Sequence, residues 1–316
     1  GIPDFKMEKT IIDRRVEQMT AEGVRFQVGA DVGGAMAVSE LTSTFDAIVL
    51  CIGARVARDL PIAGRQLEGV AWAMDFLAQQ NRHVAALGDA PSGTDTLGNE
   101  SDARSTRARS LPSSDALLAT DKHVVVIGGG DTGADCVGTA NRQRARSVVQ
   151  LELMPKPPLV RMPDNPWPAW PAVLRTSSSH EEGCDRVFAV MTKAFVPDET
   201  GSRVARIAAV RAEIVDNRVH EVPGSEFEIP CDLALLAMGF TGPERAGLVS
   251  QLKVRLDERG AIVTDSAGAT SVPSVFAAGD ASRGQSLVVW AIADGRRVAA
   301  GVDAFLMNST RVRRTG

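Results

Sequence analysis

Apolar positions along this chain repeat with two periods, and the changes from one to the other outline its elements. In 8–22, "EKTIIDRRVEQMTAE", Ile12, Val16 and Met19 share one helical face, and Gly23 follows as a C-cap candidate. Val24 to Val28 then reads as a short strand. The run "FDAIVLCIGA" at 45–54 is continuously apolar and ends in Gly, which predicts a parallel-sheet strand covered on both faces. "RDLPIAG" at 58–64 reads as a linker and "AWAMDFLAQQN" at 71–81 as a helix. From 88 to 115 the apolar residues almost vanish, which predicts a mobile, solvated insertion. A strand at 123–127, a glycine loop at 128–133, a helix to about 145 and a strand at 147–153 come next.

A proline-rich excursion occupies 154–171, and Trp167 and Trp170 are expected to pack from it onto the core. Short β-like stretches run from 186 to 229. "CDLALLAMGF" at 231–240 is another buried strand ending in Gly, and 274–306 reads as strand, turn and long helix. Strands alternating with helices imply α/β layers around a mostly parallel sheet.

Composition narrows the function classes. The 316 residues carry a net charge of −4, with 44% hydrophobic and 23% charged residues, an ordinary soluble balance that argues against a nucleic-acid surface. The longest apolar runs are too short to span a bilayer and there is no signal-like start, so a cytoplasmic protein without membrane contact is expected. The chain begins with Gly1 rather than Met, so its start is expected not to be a natural translation start. Cys51, Cys136, Cys184 and Cys231 include no C-x-x-C, so neither an iron–sulfur cluster nor a zinc ribbon is read from spacing. Cys51 and Cys231 stand beside strand patterns and are expected to be small buried hydrophobes. "HEEG" at 180–183 lacks the second His of a zincin helix.

The strongest chemical signal is "KHVVVIGGGDTGADCVG" at 122–138. Gly128, Gly130 and Gly133 form G-x-G-x-x-G between a strand and a helix, with a second strand at the expected distance. The first glycine permits the tight turn, the second lets backbone approach a pyrophosphate, and the third allows helix and strand to pack closely. The helix starting near Asp131 would aim its free N–H groups at the phosphates. Glu152, nineteen residues after Gly133, favours the ribose hydroxyls of NAD if it faces the ligand. Lys156 and Arg161 could instead neutralise the 2′-phosphate of NADP, so these residues leave the nicotinamide open.

"VFAAGDASRGQSLVVWAI" is the second signal, a buried strand ending at Gly279-Asp280 with a helix from near Ser286. Taken with the first, it resembles the two-dinucleotide-binding flavoproteins. The resemblance implies that the Gly-Asp turn holds the ribityl and pyrophosphate part of FAD, and that the next helix points its N-terminus at the flavin ring. It also implies why the fingerprint stands mid-chain: a Rossmann-like NAD(P)-binding domain is inserted in a discontinuous FAD-binding domain. The expected segments are 1–60 for the first FAD remnant, 70–240 for the NADPH domain and 241–316 for the last FAD segment.

"GIPDFKMEK", "GGGDTGADCVGTANRQ", "NPWPAWP", "SSSHEEG", "LLAMGFTGPE" and "RGQSLVVWAIADGR" narrow the resemblance to the small (beta) subunit family of NADPH-dependent glutamate synthase, over nearly the whole chain except 88–115. That implies an oxidoreductase passing a hydride from NADPH to FAD, then electrons through iron–sulfur clusters to a large subunit that makes glutamate from glutamine and 2-oxoglutarate. The cofactor-binding residues carried over are Gly128, Gly130, Asp131, Thr132, Gly133, Lys156, Arg161, Gly239, Gly279, Asp280, Gln285, Ser286 and Leu287. No catalytic side chain and no metal ligand is named, because hydride transfer from nicotinamide to flavin is the cofactors' own chemistry.

Departures from the family pattern give two further expectations. The family's cysteine-rich cluster domain and first G-x-G-x-x-G unit are missing, so the N-terminal FAD half is absent and FAD is expected to bind this chain poorly. The competing expectations are a truncated, non-catalytic NADP(H)-binding fragment and a ferredoxin-linked NADPH reductase subunit. The helix after the glycine loop also ends "RQRA", where the family favours Gly at the position of Arg144; an Arg forced left-handed there costs about 1 kcal/mol.

Overall fold

A computed structural model describes residues 1–88, 116–167, 172–216 and 218–315. The insertion expected at 88–115 falls, from 89 onward, outside the described residues, as does Trp170. The chain divides into two compact units: residues 1–16 with 59–238, and residues 17–58 with 239–316. Helix α1 (Thr10–Ala21) runs across the division. It ends as its sequence predicts, with Gly23 at φ 97° and the Val24 N–H reaching back to the Met19 carbonyl.

The first unit is built on a five-stranded parallel sheet. Its strands, across the sheet, are β2 (Val70–Trp72), β10 (Leu233–Leu236), β3 (His123–Ile127), β4 (Ser147–Leu151) and β5 (Asp185–Val187). Strict alternation sends successive residues to opposite faces. Val124, Val126, Leu233 and Leu235 pack with Phe76 and Leu77 of α3 (Ala73–Gly88) and with Cys136, Val137 and Ala140 of α4 (Asp131–Arg142). Val125, Ile127, Ala234 and Leu236 pack on the other side. There they meet Phe195, Ile207 and Ala209 of an antiparallel sheet built from β6 (Val190–Pro197), β7 (Val204–Val215), β8 (Arg218–Glu221) and β9 (Phe227–Pro230). Helices, parallel sheet and antiparallel sheet thus form three layers, and the central strands read as continuous apolar runs because both their faces are covered.

Helix α4 stops at Arg142, and Arg144 adopts the left-handed conformation at φ 62°. Its N–H bonds to the Asn141 carbonyl while the Ala145 N–H bonds to that of Ala140, so the turn is satisfied despite the side chain. Replacing Arg144 by Gly should stabilise the first unit by about 1 kcal/mol, read as a higher denaturant midpoint at unchanged slope.

The second unit contains helix α2 (Val38–Thr44) and a two-stranded parallel sheet of β1 (Ile48–Leu50) and β11 (Val275–Ala277). Its core gathers Val38, Leu50, Val249, Leu252, Ile262, Val275 and Ala277. Short helices α6 (Leu248–Leu252) and α7 (Asp280–Arg283) precede the long α8 (Val288–Thr315).

Four sequence expectations change here. Residues 24–28 form no strand, and Val28 is 92% exposed, because no described strand lies beside them to pair with. The 45–54 run is covered on one face rather than two, so Val49 and Cys51 are exposed while Leu50 is buried. Cys231 is buried as expected. Trp167 is 84% exposed and does not pack onto the core.

Candidate nucleotide-binding site

The three glycines of the fingerprint play three distinct parts. Gly128 leaves β3 at φ 118°, and a methyl group added to it would lie 2.3 Å from the Ala237 carbonyl oxygen. Only glycine fits there, because the turn passes directly over the end of β10. Gly133 lies in the first turn of α4, and a methyl group there would lie 2.2 Å from the Gly128 carbonyl oxygen. Helix and loop therefore touch through backbone. Gly130 differs from both: the space a Cβ would enter is open, and its backbone is extended at φ −75°.

Gly130 is also the N-cap of α4 and supplies no side-chain cap. Asp131 is exposed and Thr132 half-buried, and the helix is buried from Gly133 to Ala140. An uncapped helix N-terminus beside open space favours an anion through its free N–H groups and its dipole. The structure thus brings Gly128, Gly130, Asp131, Thr132 and Gly133 into one cradle suited to a pyrophosphate.

Around this cradle stand groups of both signs. Glu152 does not turn away. Its carboxylate fills the place a Gly129 side chain would need, and burial pushes it above the usual carboxylate range while Arg186 pulls the other way. Lys156 is exposed. Arg161 is half-buried, with its guanidinium donating to the Asn165 carbonyl at 2.8 Å. Asp135, one turn along α4 from Asp131, is buried, and its carboxyl is pushed up to about 6 by desolvation, which the positive charges of Lys6 and Lys9 partly offset.

Two residues that the sequence reading did not assign to the site connect to the loop. Gln150 is fully buried in β4, donates through Nε2 to the Gly128 carbonyl at 2.9 Å, and pairs through Oε1 with His180 Nε2 at 2.9 Å. His180 Nδ1 in turn accepts the Ser177 backbone N–H at 3.0 Å, within the capping box of the short helix α5 (Ser178–Glu181). The alternation of Gln150 and Glu152 with Val149 and Leu151 was the available signal, since it places a polar amide on the same strand face as the acid.

In the second unit, Gly279, two residues past β11, caps α7 at φ 65°, with Ala291 3.5 Å from where its Cβ would stand. Asp280 accepts the Ser286 hydroxyl at 2.9 Å. Gln285 accepts the Phe240 N–H at 2.8 Å through Oε1, the oxygen that leaves no room for a side chain on Gly239, itself at φ 84°. Leu287, just before α8, and Val288, Val289 and Ile292 in its first turns expose apolar surface. Gly239, Gly279, Asp280, Gln285, Ser286 and Leu287 are therefore neighbours in one turn region. The structure adds α7 between the Gly-Asp turn and the long helix, which starts at Val288 rather than Ser286.

Residues 6–295 match the family pattern of the pyridine nucleotide-disulphide oxidoreductases. Among curated proteins, the glutamate synthase [NADPH] small chain of Mycobacterium tuberculosis is 48% identical over 98% of this chain, which spans 59% of that protein's length. Glutamate synthase [NADH] of Saccharomyces cerevisiae is 38% identical over 98% of this chain, covering 14% of its own length. Among solved structures, Mycobacterium tuberculosis FprA in complex with NADPH superposes with a TM-score of 0.69 at 18% identity, covering 99% of this chain and 75% of the other. That likeness is one of fold. With the family pattern spanning most of the chain and the glycine loop built as that fold requires, the chain belongs to the pyridine nucleotide-disulphide oxidoreductase family.

Proposed function

We propose that this chain carries the nicotinamide- and flavin-binding part of a glutamate synthase small subunit, taking a hydride from NADPH for use in glutamate formation by a large subunit. The observation that carries the reading is Gly130: an uncapped helix N-terminus faces open space at the one fingerprint glycine whose side-chain position is empty. Gly128, Gly130, Asp131, Thr132 and Gly133 would hold the pyrophosphate of the nucleotide through backbone N–H groups. FAD, when bound, supplies the hydride acceptor and the exit for electrons one at a time. Gly279, Asp280 and Ser286 would hold its ribityl chain, with Gln285 fixing the Gly239–Phe240 backbone and Leu287 giving an apolar edge at the start of α8. The residues present fit one end of that cofactor. No side chain is required as acid or base in the hydride step, so the protein's work is to bind, orient and exclude water.

The name of the 48% relative supports NADPH as the reductant, and that of the yeast relative supports NADH. The exposed Lys156 and the half-buried Arg161 are the candidate partners of a 2′-phosphate, with Glu152 acting against it. Electron passage onward through iron–sulfur clusters and the large subunit belongs to the same proposal. No described helix is long and apolar enough to cross a membrane, and a place in the cytoplasm belongs to the same proposal.

Titration of the protein with NADPH, followed by nucleotide fluorescence, tests the binding, and bleaching of flavin absorption in the full small subunit tests the transfer. Saturable binding and bleaching are expected. A protein that binds neither NADPH nor NADH would end the reading. Replacing Lys156 and Arg161 together by Ala should lower the NADPH-over-NADH preference by about ten-fold or more, the scale of one lost charge-assisted phosphate contact. An unchanged ratio would remove both residues from the 2′-phosphate.

A further inference from the structure

We propose that His180 and Gln150 are positioning residues that hold the Gly128–Gly129 peptide in the orientation the nucleotide's pyrophosphate requires. The proposal rests on the nucleotide reading of the glycine loop. It starts from a chain of three hydrogen bonds running from the Ser177 backbone to the loop.

The direction of that chain is fixed at its far end. The Ser177 N–H is a backbone group and only donates, so His180 Nδ1 accepts. The neutral imidazole then carries its proton on Nε2, and Gln150 Oε1 accepts from it at 2.9 Å. That leaves Gln150 Nε2 as donor to the Gly128 carbonyl. Burial, with Arg186 and Lys6 nearby, lowers the His180 pKa to about 4, so the imidazole stays neutral near neutral pH and the polarity does not reverse.

The recipient of the chain is the weak point of the loop. The peptide between residues 128 and 129 is flanked by glycine on both sides, so no Cβ resists its rotation. In a trans peptide the carbonyl and the following N–H point in opposite directions. Holding the Gly128 carbonyl inward therefore keeps the Gly129 N–H pointing away from Gln150. It also keeps that oxygen where it abuts Gly133, which sets the position of the α4 N-terminus. Without the amide donor the half-buried carbonyl loses this bond, and a flip becomes less costly. The flipped peptide would present a carbonyl where an anion needs an N–H.

The motif "SSSHEEG" thereby gains a role: Ser177 and His180 form the outer end of a support that reaches Gly128 of the fingerprint, about fifty residues upstream. The test compares wild type, His180→Ala, His180→Gln and Gln150→Met. Each is titrated with NADPH and with adenosine 2′-phosphate, which lacks the pyrophosphate, and each is checked for its thermal midpoint. His180→Ala and Gln150→Met should weaken NADPH binding by about ten-fold, near the contribution of one or two buried hydrogen bonds. Binding of adenosine 2′-phosphate should be unchanged. His180→Gln, whose amide can replace the Nε2 donor, should recover most of the loss. Equal weakening of both ligands, or no rescue by Gln, would make the role merely structural and overturn the proposal, as would wild-type affinity in both disrupted variants. Absence of NADPH binding in wild type would overturn the nucleotide reading itself, and the relay with it.

Discussion

Gly130→Val should abolish nicotinamide nucleotide binding while costing the fold only a weaker helix N-cap, about 1 kcal/mol or less. The extended backbone at Gly130, with φ −75° and ψ −174°, is one that valine adopts freely, and its Cβ would enter open space. Nothing in the protein has to move. On the proposed reading the added methyl groups would stand where backbone approaches a pyrophosphate, so a loss of at least about a hundred-fold in affinity is expected, about 2.7 kcal/mol. Gly133→Ala should behave in the opposite way, because its Cβ would lie 2.2 Å from a backbone oxygen in a packed interior. Helix α4 would have to shift, at a cost of about 1–3 kcal/mol. Titration with NADPH and denaturant unfolding on both variants separate the two effects. Normal affinity in Gly130→Val would remove the loop from the nucleotide site.

The second large effect lies at Asp294. This carboxylate is 3% exposed in α8, and Arg283 of α7 grips it with two bonds, Nε to Oδ2 at 2.8 Å and Nη2 to Oδ1 at 2.7 Å. Arg297 adds a longer contact at 3.3 Å. The pair ties the segment after the Gly279-Asp280 turn to the long helix. Asp294→Ala should destabilise the second unit by about 2 kcal/mol; the roughly 3–5 kcal/mol typical of a broken buried pair is reduced because the Arg283 side chain is 41% exposed and can return to water. The hydrogen bonds from Arg283, then from Arg297, hold the Asp294 carboxyl below its ordinary value of 3.8. Its contribution is therefore present above that value and is lost as pH falls through the lower folded-state value. The stability gap between wild type and Asp294→Asn should narrow in that acid range. A gap that stayed constant with pH would show that the charge on Asp294 is not what stabilises the unit.

Much of this architecture was legible in the sequence because both periods are clean where both faces of an element are buried. The run from β3 through the glycine loop to β4 was placed correctly, since a strand, three glycines and a helix each leave an independent local mark. The left-handed Arg144 was visible too, as a side chain standing where glycine belongs. Residues 24–28 misled because β-prone residues make a strand only when a partner lies beside them, and pairing is not a local property. Gln150 and His180 were hidden for a related reason. Each has an ordinary surface-type explanation by itself, and only the fold brings a mid-strand amide and a capping imidazole thirty residues apart within 2.9 Å. The position of Glu152 was left undecided by alternation alone, since parity fixes a face and not which neighbour occupies it.

Strand β3 reads Val124, Val125, Val126, Ile127, so its two faces carry nearly the same side chains. A slip of one residue along β10 or β4 would exchange valine for valine in both cores, and hydrophobic burial alone would scarcely oppose it. What distinguishes the alignments is the end of the strand: only a residue without a side chain can pass over Ala237, and a slipped chain would bring Ile127 there. The His123 N–H bonded to the Asp232 carboxylate marks the other end. The glycine turn therefore also helps to fix the register of β3 against β10. Substitutions at Gly128 should cost stability as well as affinity, read as a lower denaturant midpoint.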